Sequence, residues 1–280
     1  MRLSEADIDR VLEEDIRFGD LTVRALAIGE KPGRMVFTAR RDLVLCGSDE
    51  ASRLLSRLGA SVIFAAQTGT CVEKGALLLE AEGTAAALHA GWKTAQTLME
   101  WASGVATLTR EIVAAARLVA PRIAVVCTRK AVPFTRQLSL KAIIAGGAEC
   151  HRLGLFDTIM LFDEHRPFLT KPNDLNAIIT KLKEYAPERP IMVEVTSEAD
   201  AFGVAEAIAY VVQHEKFTPN ILARVVLSRK TVDGRPVIAA AGAINAQNAG
   251  GYAKAGADTL VTSALFYAKP VDIQVRINPL

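Results

Sequence analysis

The chain has 280 residues, half of them hydrophobic, enough for one large domain or two smaller ones around a substantial core. Thirty-three basic residues against 31 acidic ones leave a formal charge of +2, which excludes a nucleic-acid or membrane footprint built on net charge. Any cluster of cations must therefore be local.

The four cysteines, Cys46, Cys71, Cys127 and Cys150, form no CxxC pair and have no histidine at zinc-finger spacing. Neither a disulfide framework nor a structural zinc is indicated, and no metal ligands are assigned. The start, MRLSEADIDRVLEED, is acidic where a secretory signal needs a basic region and an apolar core. No stretch of eighteen apolar residues runs without a charge, so the expected compartment is the cytoplasm.

In chain order, Leu3, Ile8, Val11, Leu12 and Ile16 keep a helical period, with Ser4 as N-cap and Asp7 three positions on. From Arg34 to Gly83 short extended runs follow, at 35–39, 43–46, 61–65 and 76–81, with a helix over 49–58 ahead of Gly59. Gly91 to Leu118 predicts a long helix or helix pair, interrupted at Gly104, that bridges to a second domain. Beyond it, apolar runs at 123–127, 158–162, 191–195, 209–213, 236–241 and 259–263 alternate with helical segments.

That alternation predicts the α/β class, with parallel strands and right-handed crossovers. The length suits an incomplete, open barrel of about six strands better than a full (β/α)₈ barrel. The predicted division is an α+β domain over 1–103 and the open barrel over 104–266.

Polar or small residues sit at the downstream end of each run: Thr128-Arg129-Lys130, Phe162-Asp163, Val195-Thr196, His214-Glu215, Gly242-Ala243 and Ser263-Ala264. In parallel α/β barrels the active site lies at that rim, and phosphate is often held by the last two loops. Small residues there let main-chain N–H groups approach an anion. Cations placed directly after a buried strand, as Arg129 and Lys130 are, suit a phosphate, diphosphate or carboxylate ligand. His165 and His214 lack metal-ligand partners at helical spacing and read as structural. No nucleophile elbow or P-loop occurs, which argues against a serine hydrolase or a P-loop nucleotidase.

The order TRK at 128–130, a proline and Arg136, then GGAECHRLGLFD at 146–157 resembles the quinolinate phosphoribosyltransferases, and most closely their ModD branch, encoded with molybdate transporters. Glu14-Asp15, Gly19-Asp20-Leu21-Thr22, Ser103-Gly104-Val105-Ala106-Thr107 and Gly256-Ala257-Asp258 extend the resemblance nearly end to end. It implies an N-terminal sandwich domain rejoined by 267–280, of the type II phosphoribosyltransferase arrangement. It also implies phosphoribosyl diphosphate as donor, Mg2+ carried with the diphosphate, and a homodimer whose sites are completed by the neighbouring chain.

By the same resemblance, Arg129, His151 and Arg152 form the pocket for the base's carboxylates, and Lys130 serves the donor. Lys93 stands where the family has an arginine reaching into the partner's site. Glu194 and Glu215 are the ribose-side acids, and Lys130, Glu194 and Glu215 the catalytic set. Gly242, Ala243, Ser263 and Ala264 form the phosphate turns.

Other positions besides Lys93 depart from the family pattern, among them Glu215, which replaces an aspartate and keeps the charge on a longer arm. Phe162 replaces a lysine that helps hold quinolinate, and Met192 replaces the first acid of Glu-Val-Glu. Ala239 and Ala241 replace the Glu and Ser ahead of Gly242. These changes imply a phosphoribosyltransferase or pyrophosphorylase whose acceptor is not quinolinate. The alternatives are a true quinolinate phosphoribosyltransferase of NAD biosynthesis, which a quinolinate assay separates, and a non-catalytic molybdate sensor, which molybdate titration separates.

Overall fold

Helix α1 (Glu5–Ile16) begins at a reciprocal cap: the Asp7 N–H donates to Ser4 Oγ at 3.1 Å, and the Ser4 N–H donates to Asp7 Oδ2 at 3.1 Å. Its period brings Ile8 and Leu12 into a cluster with Leu54 and Leu98. Helix α2 (Leu21–Ala25) is capped by Asp20, whose carboxylate accepts from the Val23 N–H at 3.0 Å. The computed structural model describes residues 1–204, 209–229 and 235–280.

Strands β1 (Pro32–Ala39), β2 (Leu43–Val44), β3 (Ser61–Ala65), β4 (Cys71–Val72) and β5 (Leu77–Thr84) lie close to the predicted runs, with helix α3 (Ser48–Arg57) between the second and third. The pair β2·β4 is antiparallel, and β5 pairs antiparallel with both β1 and β3. Met35 and Phe37 of β1 are fully buried with Leu78, Leu79, Leu88 and Met99.

Helix α4 runs unbroken from Ala85 to Arg117, so Gly104 does not interrupt it. A Cβ at Gly104 would stand 2.3 Å from the Lys269 carbonyl oxygen. The glycine is there for close backbone approach, and a helix interior tolerates it at a cost of about 1 kcal/mol.

The chain divides into one unit of 1–110, 131–147 and 265–280, and another of 111–130 and 148–264. Helix α5 (Arg136–Ala145) packs with the first unit. The physical tie is Lys141, whose ammonium bonds both Asp49 and the fully buried Glu50, the latter at 2.6 Å. Gly146 seals the same contact, since a Cβ there would stand 2.4 Å from Thr109 Cβ.

Among the described residues the second unit is built on a seven-stranded, all-parallel open sheet. Its strands are β6 (Ala124–Cys127), β7 (Glu149–Cys150), β8 (Ile159–Leu161), β9 (Ile191–Val195), β10 (Val211–Glu215), β11 (Val237–Ala241) and β12 (Thr259–Thr262), in the order β7-β6-β12-β11-β10-β9-β8. The seventh strand, β7, is two residues long, too short to leave a periodic signal. Helices α6 (Leu175–Tyr185), α7 (Glu198–Gly203), α8 (Pro219–Arg229) and α9 (Ala249–Lys254) fall between the strands. Strand β13 (Ile273–Pro279) returns to the first unit and pairs antiparallel with β1, Ile273 opposite Ala39.

Alternation along the parallel strands sorts side chains onto two faces. Leu161, Val193, Val195 and Val212 pack outward with Leu175, Ile179 and Val225 of the helices. Val126, Met192, Val211, Ala239, Ala241 and Val261 point the other way and form an apolar floor inside the open barrel.

Candidate active site

The pocket lies one layer above that floor, at the carboxyl ends of the strands. The same alternation that buries Val126 lifts Thr128 into it, and Val211 is followed by Gln213 and Glu215. The cavity holds about 650 Å3 and brings together Arg129 and Lys130 after β6, His151 and Arg152 after β7, Phe162 after β8, and Glu194 on β9. Glu215, Ala241, Gly242, Ala243 and Ser263 complete it. Arg129 and Lys130 therefore open into the same space as the Gly242 turn.

Among the described residues, Arg129 and Lys130 make no side-chain hydrogen bond or ion pair within the chain. Cations left without a counter-charge in a cavity are a site for an anionic ligand. Arg152 is nearly buried, its guanidinium 5.7 Å from the centroid of the Phe162 ring and its Nη1 donating to the Thr158 carbonyl at 3.4 Å. Burial, and then the Arg129 charge, lower its pKa against the opposing pull of Asp157.

His151 lines the same cavity as Arg152. Burial first, and Arg152 second, lower its pKa from the ordinary imidazole value, with Asp157 opposing, so the ring is neutral at neutral pH. Its Nε2 is buried without a hydrogen-bond partner among the described residues.

On the opposite wall, Gln213 Nε2 donates to Glu194 Oε2 at 2.7 Å, the two residues being partners in register across β10 and β9. Burial, followed by the carboxylates of Glu215, Glu164 and Asp163, raises the Glu194 pKa, while the Gln213 bond works against the shift. Carboxylates gathered on this side of the cavity suit hydroxyl donors or a divalent cation.

The two turns after β11 and β12 are joined by one hydroxyl. Thr262 Oγ1 donates to the Ile244 carbonyl at 2.7 Å and accepts from the Ala264 N–H at 3.0 Å. The Ala243 carbonyl accepts from Asn248 Nδ2 at 3.0 Å. Gly242 and Ala243 both have positive φ, at 90° and 54°. Among the described residues the N–H groups of Gly242, Ala243 and Ser263 donate no hydrogen bond within the chain, and all three residues line the cavity.

Two expected site residues, Met192 and Ala264, are not in the cavity lining. Met192 is in the floor beneath the pocket, because strand alternation puts it one layer below Glu194. Ala264 does not line the cavity, its N–H being taken by Thr262. Lys93, on α4 in the first unit, is exposed; its ammonium lies 4.1 Å from the Trp92 ring centroid and donates to Gln96 Oε1 at 2.8 Å.

Met160, Glu164, Thr196, Gln213 and Lys216 line the cavity without having been singled out as site residues from the sequence. Gln213 was findable, since it stands two before Glu215 on one strand. A second cavity of about 570 Å3 shares Arg129, Arg152, Met160, Phe162 and Glu164 with the first and continues to Leu155 and His165. His165 Nδ1 accepts from the Phe162 N–H at 3.0 Å and its ring stacks on Phe162, so it is a positioning residue, as is His214, buried with Nδ1 at 3.2 Å from the Ala239 carbonyl. Asp163 is held by Arg166 at 2.9 Å and by Thr196 at 3.0 Å.

Residues 20–103 match the family described as "Quinolinate phosphoribosyl transferase, N-terminal domain", and residues 105–276 its C-terminal domain. A Rhodobacter capsulatus protein named "Putative pyrophosphorylase ModD" is 47% identical over 239 residues, 85% of this chain and 92% of that one. An Escherichia coli protein of the same name is 38% identical over 277 residues, 99% of this chain and 98% of that one. The crystal structure of NadC from Streptococcus pyogenes shares the fold, with a TM-score of 0.88 at 23% identity, over 99% of this chain and 98% of that one. With an open parallel barrel whose rim gathers the cations and the glycine turn, the chain belongs to the quinolinate phosphoribosyl transferase family and is an enzyme of the pentosyltransferase class.

Proposed function

We propose that this chain is a phosphoribosyltransferase of the nicotinate-nucleotide pyrophosphorylase type, with phosphoribosyl diphosphate as donor and an acceptor less anionic than quinolinate. The observation that carries the reading is the single cavity shared by unpaired Arg129 and Lys130, the acids Glu194 and Glu215, and the bare N–H groups of the Gly242 turn. In the reaction a ring nitrogen of the acceptor donates its lone pair to the ribosyl anomeric carbon. The C–N bond forms as the C–O bond to diphosphate breaks, and diphosphate leaves with that electron pair.

Positive charge builds on the sugar carbon and negative charge on the leaving group. Groups fixed in advance where those charges appear lower the barrier. Lys130 is placed for the diphosphate, and Glu194 and Glu215 for the ribose hydroxyls and the sugar's developing positive charge. Arg129 and Arg152 hold an anionic substituent of the acceptor, and neutral His151 offers it a hydrogen bond. Phe162 makes the remaining wall of that subsite apolar.

Magnesium carried with the diphosphate would neutralise the leaving group. Carboxylates crowd around Glu194, and Glu194 and Glu215 would hold such an ion. Among the described residues no three His, Cys, Asp or Glu side chains converge as a metal site, so its other ligands would come from the substrate. We place Lys93 at the site of a neighbouring copy in a homodimer, and the enzyme in the cytoplasm. No helix among the described residues is long and apolar enough to cross a membrane.

The test is release of diphosphate from phosphoribosyl diphosphate, assayed with a panel of pyridine, purine and other heteroaromatic bases. Turnover with one or more of them and little with quinolinate is expected. Efficient turnover of quinolinate would reject the changed acceptor, and absence of both donor binding and diphosphate release would reject the reading as a whole. Sedimentation that shows only monomer at micromolar concentration would remove Lys93 from the site.

A further inference from the structure

Strand β10 sends Val211, Gln213 and Glu215 to the inside of the barrel, and Val212 and His214 to the outside. Continued alternation would send Lys216 outward with Val212 and His214. Instead Glu215 and Lys216, adjacent in sequence, both line the cavity. The reversal is made by the backbone: Lys216 has φ 59°, a left-handed conformation that a side chain bearing a Cβ adopts only when its surroundings enforce it.

Two contacts enforce it. The Lys216 N–H donates to the Ala241 carbonyl at 2.8 Å, tying the end of β10 to the end of β11. The Lys216 stem lies across Gly242, where a Cβ would stand 2.8 Å from Lys216 Cγ and 2.9 Å from its main-chain nitrogen. Glycine at 242 thus makes room for the lysine as well as for a ligand. Among the described residues the Lys216 side chain makes no hydrogen bond or ion pair, although Glu215 is its neighbour.

We propose that Lys216 is a substrate-binding residue, and that with the Gly242–Ala243 turn it holds the phosphate monoester at the sugar end of the donor. The inference rests on the phosphoribosyl-donor reading above and adds a residue and a ligand group to it. The turn supplies main-chain N–H donors without charge, and a phosphate monoester carries close to two negative charges at neutral pH. Lys216 is the cation whose stem packs against that turn.

Calorimetry with ribose 5-phosphate and with inorganic diphosphate, on the wild-type chain and on Lys216→Met, Lys216→Gly and Lys216→Arg, tests it. Loss of one charge-assisted contact should weaken ribose 5-phosphate by about tenfold or more in the Met and Gly variants, with Arg retaining most of the affinity. Inorganic diphosphate, measured at the subsite of Lys130, should bind nearly unchanged. Lys216→Gly should melt no lower than the wild type, since glycine takes up the left-handed conformation without strain. Wild-type affinity for ribose 5-phosphate in both Met and Gly variants would overturn the role of Lys216 and leave the donor reading standing. A fall confined to diphosphate would overturn the assignment to the monoester. A wild-type chain that binds neither phosphoribosyl diphosphate nor ribose 5-phosphate would overturn the donor reading and this inference together.

Discussion

The guanidinium of Arg152 lies 5.7 Å from the centre of the Phe162 ring, so a cation and an apolar ring line one cavity side by side. A ring face attracts the guanidinium by about 0.5–2 kcal/mol. It offers a carboxylate nothing. On the proposed reading, this wall favours an acceptor with one anionic group and a flat apolar body.

Phe162→Lys should shift that preference toward quinolinate. An added ammonium contributes about 1.5–3 kcal/mol to a charged hydrogen bond, or roughly ten- to a hundredfold in affinity. Steady-state kinetics of both proteins with quinolinate measure it. An unchanged KM would mean that the second carboxylate does not point to this wall.

Lys130→Met should weaken phosphoribosyl diphosphate by about ten- to a hundredfold, because an unpaired cation has no internal bond to lose and only the ligand contact disappears. For the same reason thermal stability should stay within a degree or two of the wild type. A large loss of stability with intact donor binding would assign Lys130 to the scaffold.

Glu194→Gln should raise the melting temperature at neutral pH and cost activity. The folded pKa of Glu194 is raised by burial and by Glu215, so the folded state resists ionisation. Below the unfolded value, about 4.3, the carboxyl is protonated in both states and the two proteins should differ little. As pH rises past that value the unfolded chain releases its proton first, and wild-type stability falls until pH exceeds the raised folded value. Melting curves from pH 4 to 8 should show the gap opening upward; a constant gap would assign it to packing.

Lys141→Met should destabilise the first unit by about 3–5 kcal/mol, the usual cost of removing one partner of a buried pair. The fully buried Glu50 loses the ammonium that now lies 2.6 Å away. Burial alone would lower the Lys141 pKa, but its bonds to Asp49 and Glu50 outweigh that and raise it. Denaturant titration of the variant beside Lys141→Met/Glu50→Leu separates the causes, since the double change removes the stranded charge and should recover part of the loss.

Much of this was legible in advance where a residue's neighbours lie along the chain. The cap at Ser4, the six longer barrel runs and the polar residues at their ends follow from periods of 3.6 and 2.0. What stayed hidden depends on contacts between segments far apart in sequence. Gly104 reads as a helix break until the Lys269 carbonyl is seen against it, and nothing along the chain announces that Lys141 of α5 pairs with Glu50. Met192 reads as a pocket residue until its layer is known. Lys216 was invisible for a different reason: its inward course breaks the alternation used to find its neighbours.

The hydroxyl of Thr262, which bridges the turns after β11 and β12, bears on inhibition. Because one side chain bonds both loops, moving either away from the other breaks a hydrogen bond. An inhibitor must take the gap as it stands, and rigid phosphate mimics matched to that spacing should outperform flexible ones, which lose torsional freedom on capture.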